Sequence, residues 1–281
     1  MSAIVPLTRE HLADCLKLSI EAGWNQTARD WEFILDEGEV FGILGAKRVI
    51  ASAAILPYPP RFAWICMMLV TPAERRKGHA RTLIGFCLSR VEKLSLVAGL
   101  DATPQGKEVY RKLGFKEIYA VTRWARSGHE GHASGHRHQS ITPLGEPIFP
   151  AVIAYDEQRF GGKRGSLLFS LKARAPHLAH VAREAEHVKG FVLGREGQLA
   201  TQIGPLVAAD IGVARELLDA AVCHVEGACI IDAADHHLEL RRSLEGLGFE
   251  PKRSFTRMLF GTQRPVDDPN SIFAIAGPEF A

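Results

Sequence analysis

Residues 70–83 read V-T-P-A-E-R-R-K-G-H-A-R-T-L, and this junction limits the chain to folds in which a strand hands over to a helix. The apolar run Trp64 to Val70 leads in with the length and composition of a buried strand. Pro72 ends it. After the basic turn Arg75-Arg76-Lys77-Gly78, apolar residues recur at Ala80, Leu83, Ile84, Cys87, Leu88 and Val91, the spacing of one helix face. The first N–H groups of a helix lack internal partners, and its dipole favours negative charge there. A glycine and three cations at that point predict a site for phosphate or pyrophosphate. A basic turn ahead of a helix also occurs with only solvent around it, so its context decides.

That context contains a second element. Leu96 to Leu100 reads as another strand, ended by Asp101-Ala102-Thr103-Pro104, and Gln105 to Leu113 reads as a short helix stopped by Gly114. The pattern R-x-x-G-x-A, present as Arg75, Gly78 and Ala80, resembles the acyl-CoA-binding motif of the GNAT superfamily of N-acetyltransferases. Val109-Tyr110-Arg111-Lys112-Leu113-Gly114-Phe115 resembles the family's Y-x-K-L-G-F segment. The resemblance covers residues 1 to 125. The remaining elements there read as strand, two helices and a strand pair: Ile4–Leu7, a helix behind the N-cap candidate Thr8, Trp31–Leu35, Val40–Leu44 and Val49–Leu56. The order β-α-α-β-β-β-α-β-α-β suits an α/β (α+β) mixed sheet of that family.

The second half carries an internal repeat. Leu247-Gly248-Phe249 echoes Leu113-Gly114-Phe115 at an offset of 134, and the same shift takes the helix face above onto Ala214, Leu217, Leu218, Ala221, Val222 and Val225. Gly78 maps onto Gly212 and Thr122-Arg123 onto Thr256-Arg257. The cations do not carry over: Arg75, Arg76 and Lys77 map onto Ala209, Asp210 and Ile211, and Tyr110 maps onto Leu244. The expectation is two tandem GNAT-like acyl-CoA N-acyltransferase folds: a catalytic domain over 1–125, a Gly/His-rich linker over 126–140 and a degenerate copy over 141–281. The linker's His129, His132, His136 and His138 read either as a metal tract or as a solvated loop; the loop is preferred, and no metal is expected.

Composition narrows the partners. A 281-residue chain with 46% hydrophobic and 23% charged residues is expected to be globular, and a net charge of +2 gives no case for a nucleic-acid surface. No run approaches the ~18 apolar residues of a membrane span, and no secretory signal is read, so a cytoplasmic location is expected. Cys15, Cys66, Cys87, Cys223 and Cys229 contain no C-x-x-C and read as reduced thiols. A spare strand edge on either half keeps a homodimer open.

The resemblance implies an amine attacking the thioester of acetyl-CoA. Met68, Leu69 and Val70 are then placed beside the pantetheine arm. Arg76, Lys77, Gly78, His79 and Ala80 are placed at the pyrophosphate, with Arg75 adding charge and Thr103 a further cofactor contact. Tyr110 corresponds to the general acid, and Asp101 is the nearest candidate base, with substrate binding and helix capping as its alternatives. Trp24, Asn25, Asp30 and Trp31 lie where the family closes over the acceptor, and their aromatics read as stacking surfaces or as core. The expected function is acetyl transfer to the primary amine of a small molecule; the alternative is a non-catalytic acyl-CoA sensor or scaffold.

Overall fold

The structure, a computed structural model, describes residues 3–46, 48–128 and 140–281. They divide into two units: residues up to Leu100 with Gly197–Leu199 and Phe280, and Asp101–Glu196 with Ala200–Glu279 and Ala281. His129, His132, His136 and His138 lie outside the described residues.

The first unit runs β1 (Ile4–Pro6), α1 (Leu12–Glu21), α2 (Ala28–Glu37), β2 (Glu39–Leu44), β3 (Val49–Tyr58), β4 (Phe62–Val70), α3 (His79–Lys93) and the start of β5 (Val97–Ala102). Its strands stand in chain order, antiparallel from β1 to β4 and parallel between β4 and β5. Thr8 caps a 3-10 turn, Arg9–His11, that leads into α1. Thr27 caps α2, its N–H and hydroxyl both donating to Asp30, at 2.7 and 2.9 Å. The face read from the α3 sequence is the packed one: Leu83, Ile84, Cys87 and Val91 are buried, Leu88 is half-buried and Ala80 is exposed. Leaving such a face in water would cost about 1.5–3 kcal/mol for each large aliphatic side chain.

The second unit begins within β5, at Asp101, and continues through α4 (Pro104–Lys112), β6 (Phe115–Arg126), β7 (Ile141–Pro143), α5 (Phe149–Phe160), α6 (Gly165–Arg174), β8 (His180–Glu184) and β9 (His187–Arg195). It then adds β10 (Thr201–Ala208), α7 (Ile211–Val222), β11 (Cys229–Ala234), α8 (Leu238–Gly246), β12 (Glu250–Phe260) and β13 (Ile272–Ala274). Its strand order is β12-β6-β11-β13-β10-β9-β8-β7. On the helix side Trp124, Ile203, Ile231, Leu217, Leu218, Leu240 and Leu244 pack into one core.

The repeat is visible in the elements. Helix α8 is α4 shifted by 134 residues at both ends, from Pro104 to Leu238 and from Lys112 to Gly246. The α7 face Ala214, Leu217, Leu218, Ala221 and Val222 is buried. The start of α7 departs from the offset: the chain enters it earlier, so Asp210, not Gly212, takes the N-cap position that Gly78 holds in α3.

Candidate active site

In the first unit, the nine residues from Met68 to Ala80 singled out in the sequence form one continuous strand, turn and helix start. Ser52 pairs with Leu69 and Ala54 with Cys66, so Met67 and Met68 together oppose the single residue Ala53. This is a β-bulge. Met67 adopts a left-handed φ of 50°, and the Ser52 hydroxyl donates to its carbonyl at 2.9 Å. The β4–β5 ladder ends at Trp64 and Gly99. From Ile65 onward β4 keeps its partner on the β3 side only. An open strand edge offers backbone donors and acceptors to any extended group that carries amides.

The turn that follows prepares a second, anionic contact. Gly78 caps α3 at φ 88°, in the region where glycine has no steric cost, and a Cβ there would meet nothing within 4 Å. No side chain caps the helix start and its first turn carries no acid, so its N–H groups point outward unclaimed by side chains. Arg75, Arg76, Lys77 and Gly78 are exposed. Arg75 Nε donates to Val70 O at 3.2 Å, tying the turn back to the strand. Glu74, which the sequence analysis did not single out, is the local counter-charge: its Oε2 lies 3.0 Å from Lys77 Nζ and 3.4 Å from His79 Nε2. Lys77 first, then His79, hold its carboxyl below the usual carboxylate range.

Asp101, Thr103 and Tyr110 belong to the second unit. Thr103 is the N-cap of α4; its hydroxyl oxygen accepts from Gly106 N at 3.3 Å. Tyr110 is half-buried, its ring edge-on to Phe115 with centroids 5.8 Å apart. A Cβ on Gly106 would reach to 2.9 Å of the Tyr110 ring, so this glycine seats the tyrosine.

Asp101 does not suit the role of base. Its side chain has no exposed surface, and Arg257 of β12 donates to both its oxygens, at 3.1 and 3.0 Å. Arg257 also donates to Tyr119 Oη and Asp267 Oδ2, both at 2.8 Å. Burial opposes the Arg257 charge, but Asp101, Tyr119 and Asp267 outweigh it and hold the guanidinium charged. Burial pushes the Asp101 carboxyl up while Arg257 pulls it down. A carboxylate with both oxygens clamped inside the protein is a structural anchor for the end of β5. Two acceptor-loop candidates are structural as well: Asp30 is the α2 capping residue, and Trp31 is fully buried with Nε1 donating to Ser19 Oγ at 2.9 Å.

The second unit repeats the first unit's strand opening and then closes it. Strands β10 and β11 share three parallel pairs, from Thr201–Cys229 to Ile203–Ile231. Beyond them β13 enters between the two, pairing antiparallel with Leu206 and Val207 of β10 and with Ala233 of β11. Ile275 N donates to Asp232 O, and buried Arg195 donates to Ala276 O at 2.8 Å. Asp210 Oδ1 accepts from Val213 N at 3.0 Å, putting the protein's own carboxylate at the start of α7. Leu244, in the place of Tyr110, is fully buried. Strand edge, helix start and hydroxyl are thus each filled or lost.

Among the described residues no group of three or more His, Cys, Asp or Glu side chains is arranged to hold a metal, and no helix is long and apolar enough to cross a membrane. Cys223 is exposed and the other four cysteines are buried; burial pushes the thiols of Cys15, Cys87 and Cys229 up to about 12.

Comparison with known proteins places both halves. Residues 6–115 match the model of the acetyltransferase (GNAT) family, and residues 152–274 match that of an acetyltransferase (GNAT) domain. The chain is 22% identical over 266 residues to the uncharacterized N-acetyltransferase YitH of Bacillus subtilis, covering 94% of each chain. It is 28% identical over 246 residues to the holothin acyltransferase of a Pseudoalteromonas species, covering 87% of this chain and 81% of that one. A solved structure from Pyrococcus horikoshii matches with a TM-score of 0.82 at 20% identity, over 99% of this chain and 95% of the other. A tandem GNAT protein from the clavulanic acid biosynthesis pathway matches with a TM-score of 0.66 at 16% identity, over 94% and 100%.

Proposed function

The chain belongs to the GNAT acetyltransferase family, carries two of its domains and is an acyltransferase, and from that premise we propose that it moves an acetyl group from acetyl-CoA to the primary amine of a small molecule by direct attack in a ternary complex. GNAT enzymes use acetyl-CoA, and the first half has the features to take it. The observation that carries the reading is the conjunction in one segment of an open β4 edge beyond the bulge at Met67 and a basic α3 start without a side-chain cap.

Met68, Leu69 and Val70 would pair with the amides of the pantetheine arm, and a backbone N–H of this stretch would polarise the thioester carbonyl. The N–H groups from Arg76 to Ala80 would take the pyrophosphate, with Arg75, Arg76 and Lys77 adding charge and the His79 ring beside them. Thr103 acts one step away, by starting the helix that carries Tyr110. Tyr110 protonates the departing thiolate through its phenol O–H, the one hydroxyl that the motif carries at this position. Alignment of the two reactants supplies much of the remaining acceleration. Asp101 is not offered as the base, because both its oxygens are held by Arg257.

The test is Tyr110→Phe, assayed by thiol release against an amine panel alongside acetyl-CoA binding. Turnover should fall by about 10²-fold or more while the dissociation constant stays put. Unchanged turnover would remove Tyr110 from the mechanism.

A further inference from the structure

One face of the β12–β6 ribbon holds three cross-strand pairs in a row: Arg253 opposite Arg123, Phe255 opposite Val121, and Arg257 opposite Tyr119. Two of its three arginines are neutralised. Arg257 has Asp101 and Asp267. Arg123 donates from Nε and a terminal nitrogen to both oxygens of Asp232, each at 2.7 Å, and Gln202 donates to the same carboxylate. Arg253 has no such partner: among the described residues no carboxylate lies within ion-pair distance of it. Its guanidinium lies 5.3 Å from the centroid of the Phe255 ring, and that of Arg123 lies 5.5 Å from the same centroid.

Like charges directly opposite on an antiparallel pair are destabilising. Arg253 is half-buried. Burial first, then Arg123, hold its pKa below the ordinary arginine value, against a pull from Asp232. Over the whole face three arginines meet three carboxylates, but two of these belong to Arg257, so the Arg123–Arg253 end, with Asp232 alone, has one surplus positive charge, a planar donor fork and an apolar ring beside it. A carboxylate matches such a fork in two parallel hydrogen bonds, as a phosphate does.

We propose that Arg253, with Arg123 and Phe255, forms an anion subsite for the acceptor, so that the amine this enzyme acetylates also carries a carboxylate. The inference rests on the acyltransferase reading above. Placement supports it: Arg257 lies four residues farther along the same face, about 13 Å in an extended strand, and fixes the end of β5 just ahead of Thr103 and the Tyr110 helix.

The experiment compares matched amines with and without a carboxylate, lysine against cadaverine and phenylalanine against phenethylamine, by thiol release. The wild-type enzyme should prefer the carboxylate-bearing member at least ~10-fold in kcat/KM. Arg253→Gln should bring the ratio near one, leaving the KM for acetyl-CoA and turnover of the decarboxylated amine unchanged, and Arg253→Lys should recover part of it. A second measurement needs no turnover: glutarate should raise the melting temperature of the wild-type protein more than that of Arg253→Gln, which itself should melt no lower than wild type. No carboxylate preference, a preference that survives Arg253→Gln, equal stabilisation of both proteins by glutarate, or a variant several degrees less stable each overturns the subsite. Calorimetry with acetyl-CoA separates the two failures: loss of cofactor binding refutes the acyltransferase reading, whereas intact binding with no carboxylate effect refutes the subsite alone.

Discussion

Gly106 and Tyr110 are one helical turn apart on α4, and a Cβ on the glycine would lie 2.9 Å from Cε2 of the tyrosine ring. Real Cβ contacts are not that short, so the ring would have to swing. Gly106→Ala therefore separates stability from chemistry. Alanine in a helix interior is favoured over glycine by about 0.8–1 kcal/mol, so the melting temperature should hold or rise. Turnover should fall as the phenol leaves its place, with acetyl-CoA affinity intact. A variant as active as wild type would mean that the ring's present seat is irrelevant to the reaction.

Glu74 competes with the phosphates for Lys77 and His79. Glu74→Gln should tighten CoA binding by a few-fold at low salt. The gain should shrink toward ~0.5 M salt, because exposed charges are screened within a few ångströms there. Weaker binding in the variant would mean that Glu74 orders the turn instead of opposing the ligand.

Arg257 links Asp101, Asp267 and Tyr119 in the interior of the second unit. Removing it leaves buried carboxylates without a cation, so Arg257→Gln should cost about 3–5 kcal/mol in denaturant melts. Combining it with Asp101→Asn should recover a good part, because the uncompensated charge goes too. A double variant no better than the single one would show that the pair's charge is not what matters.

His180 and His237 are both held below the usual histidine pKa, each by burial first, with His224 and His236 adding repulsion respectively. Their folded state prefers the neutral ring, so stability is full above the unfolded pKa of about 6.5 and is lost as pH falls through it toward the lower folded values. Melting temperature should therefore drop between about pH 6.5 and 5, and His237→Gln should flatten that slope. An unchanged slope in the variant would assign the acid sensitivity elsewhere.

Local chemistry made much of the fold legible. The handover from Val70 to α3 follows from Pro72, Gly78 and the periodic apolar face, and all of it involves residues within about 20 positions of one another. The order of elements in the first half and the α4 helix with its Gly114 stop were readable for the same reason. Pairings between distant residues were not. Asp101 looks like a free carboxylate at a strand end until Arg257, 156 residues away, closes on it. The entry of β13 between β10 and β11 has no local signature, since Ile272-Phe273-Ala274 would read the same at any buried edge. The start of α7 misled by position: the repeat pointed to Gly212, but Asp210 can cap with its own side chain and so takes the N-cap earlier in the chain. The bulge at Met67 depends on Ser52 across the ladder, which the β4 sequence does not contain.

In the proposed function the first half binds the acyl donor and the second, with β13 between its strands and Asp210 on its helix, does not. Calorimetric titration of the whole chain with acetyl-CoA tests it most directly. Saturable binding at one site per chain is expected, weakened when Arg75 and Arg76 are reversed to Glu and unaffected by Asp210→Ala. Two sites per chain, or one site that survives the charge reversal, would contradict it.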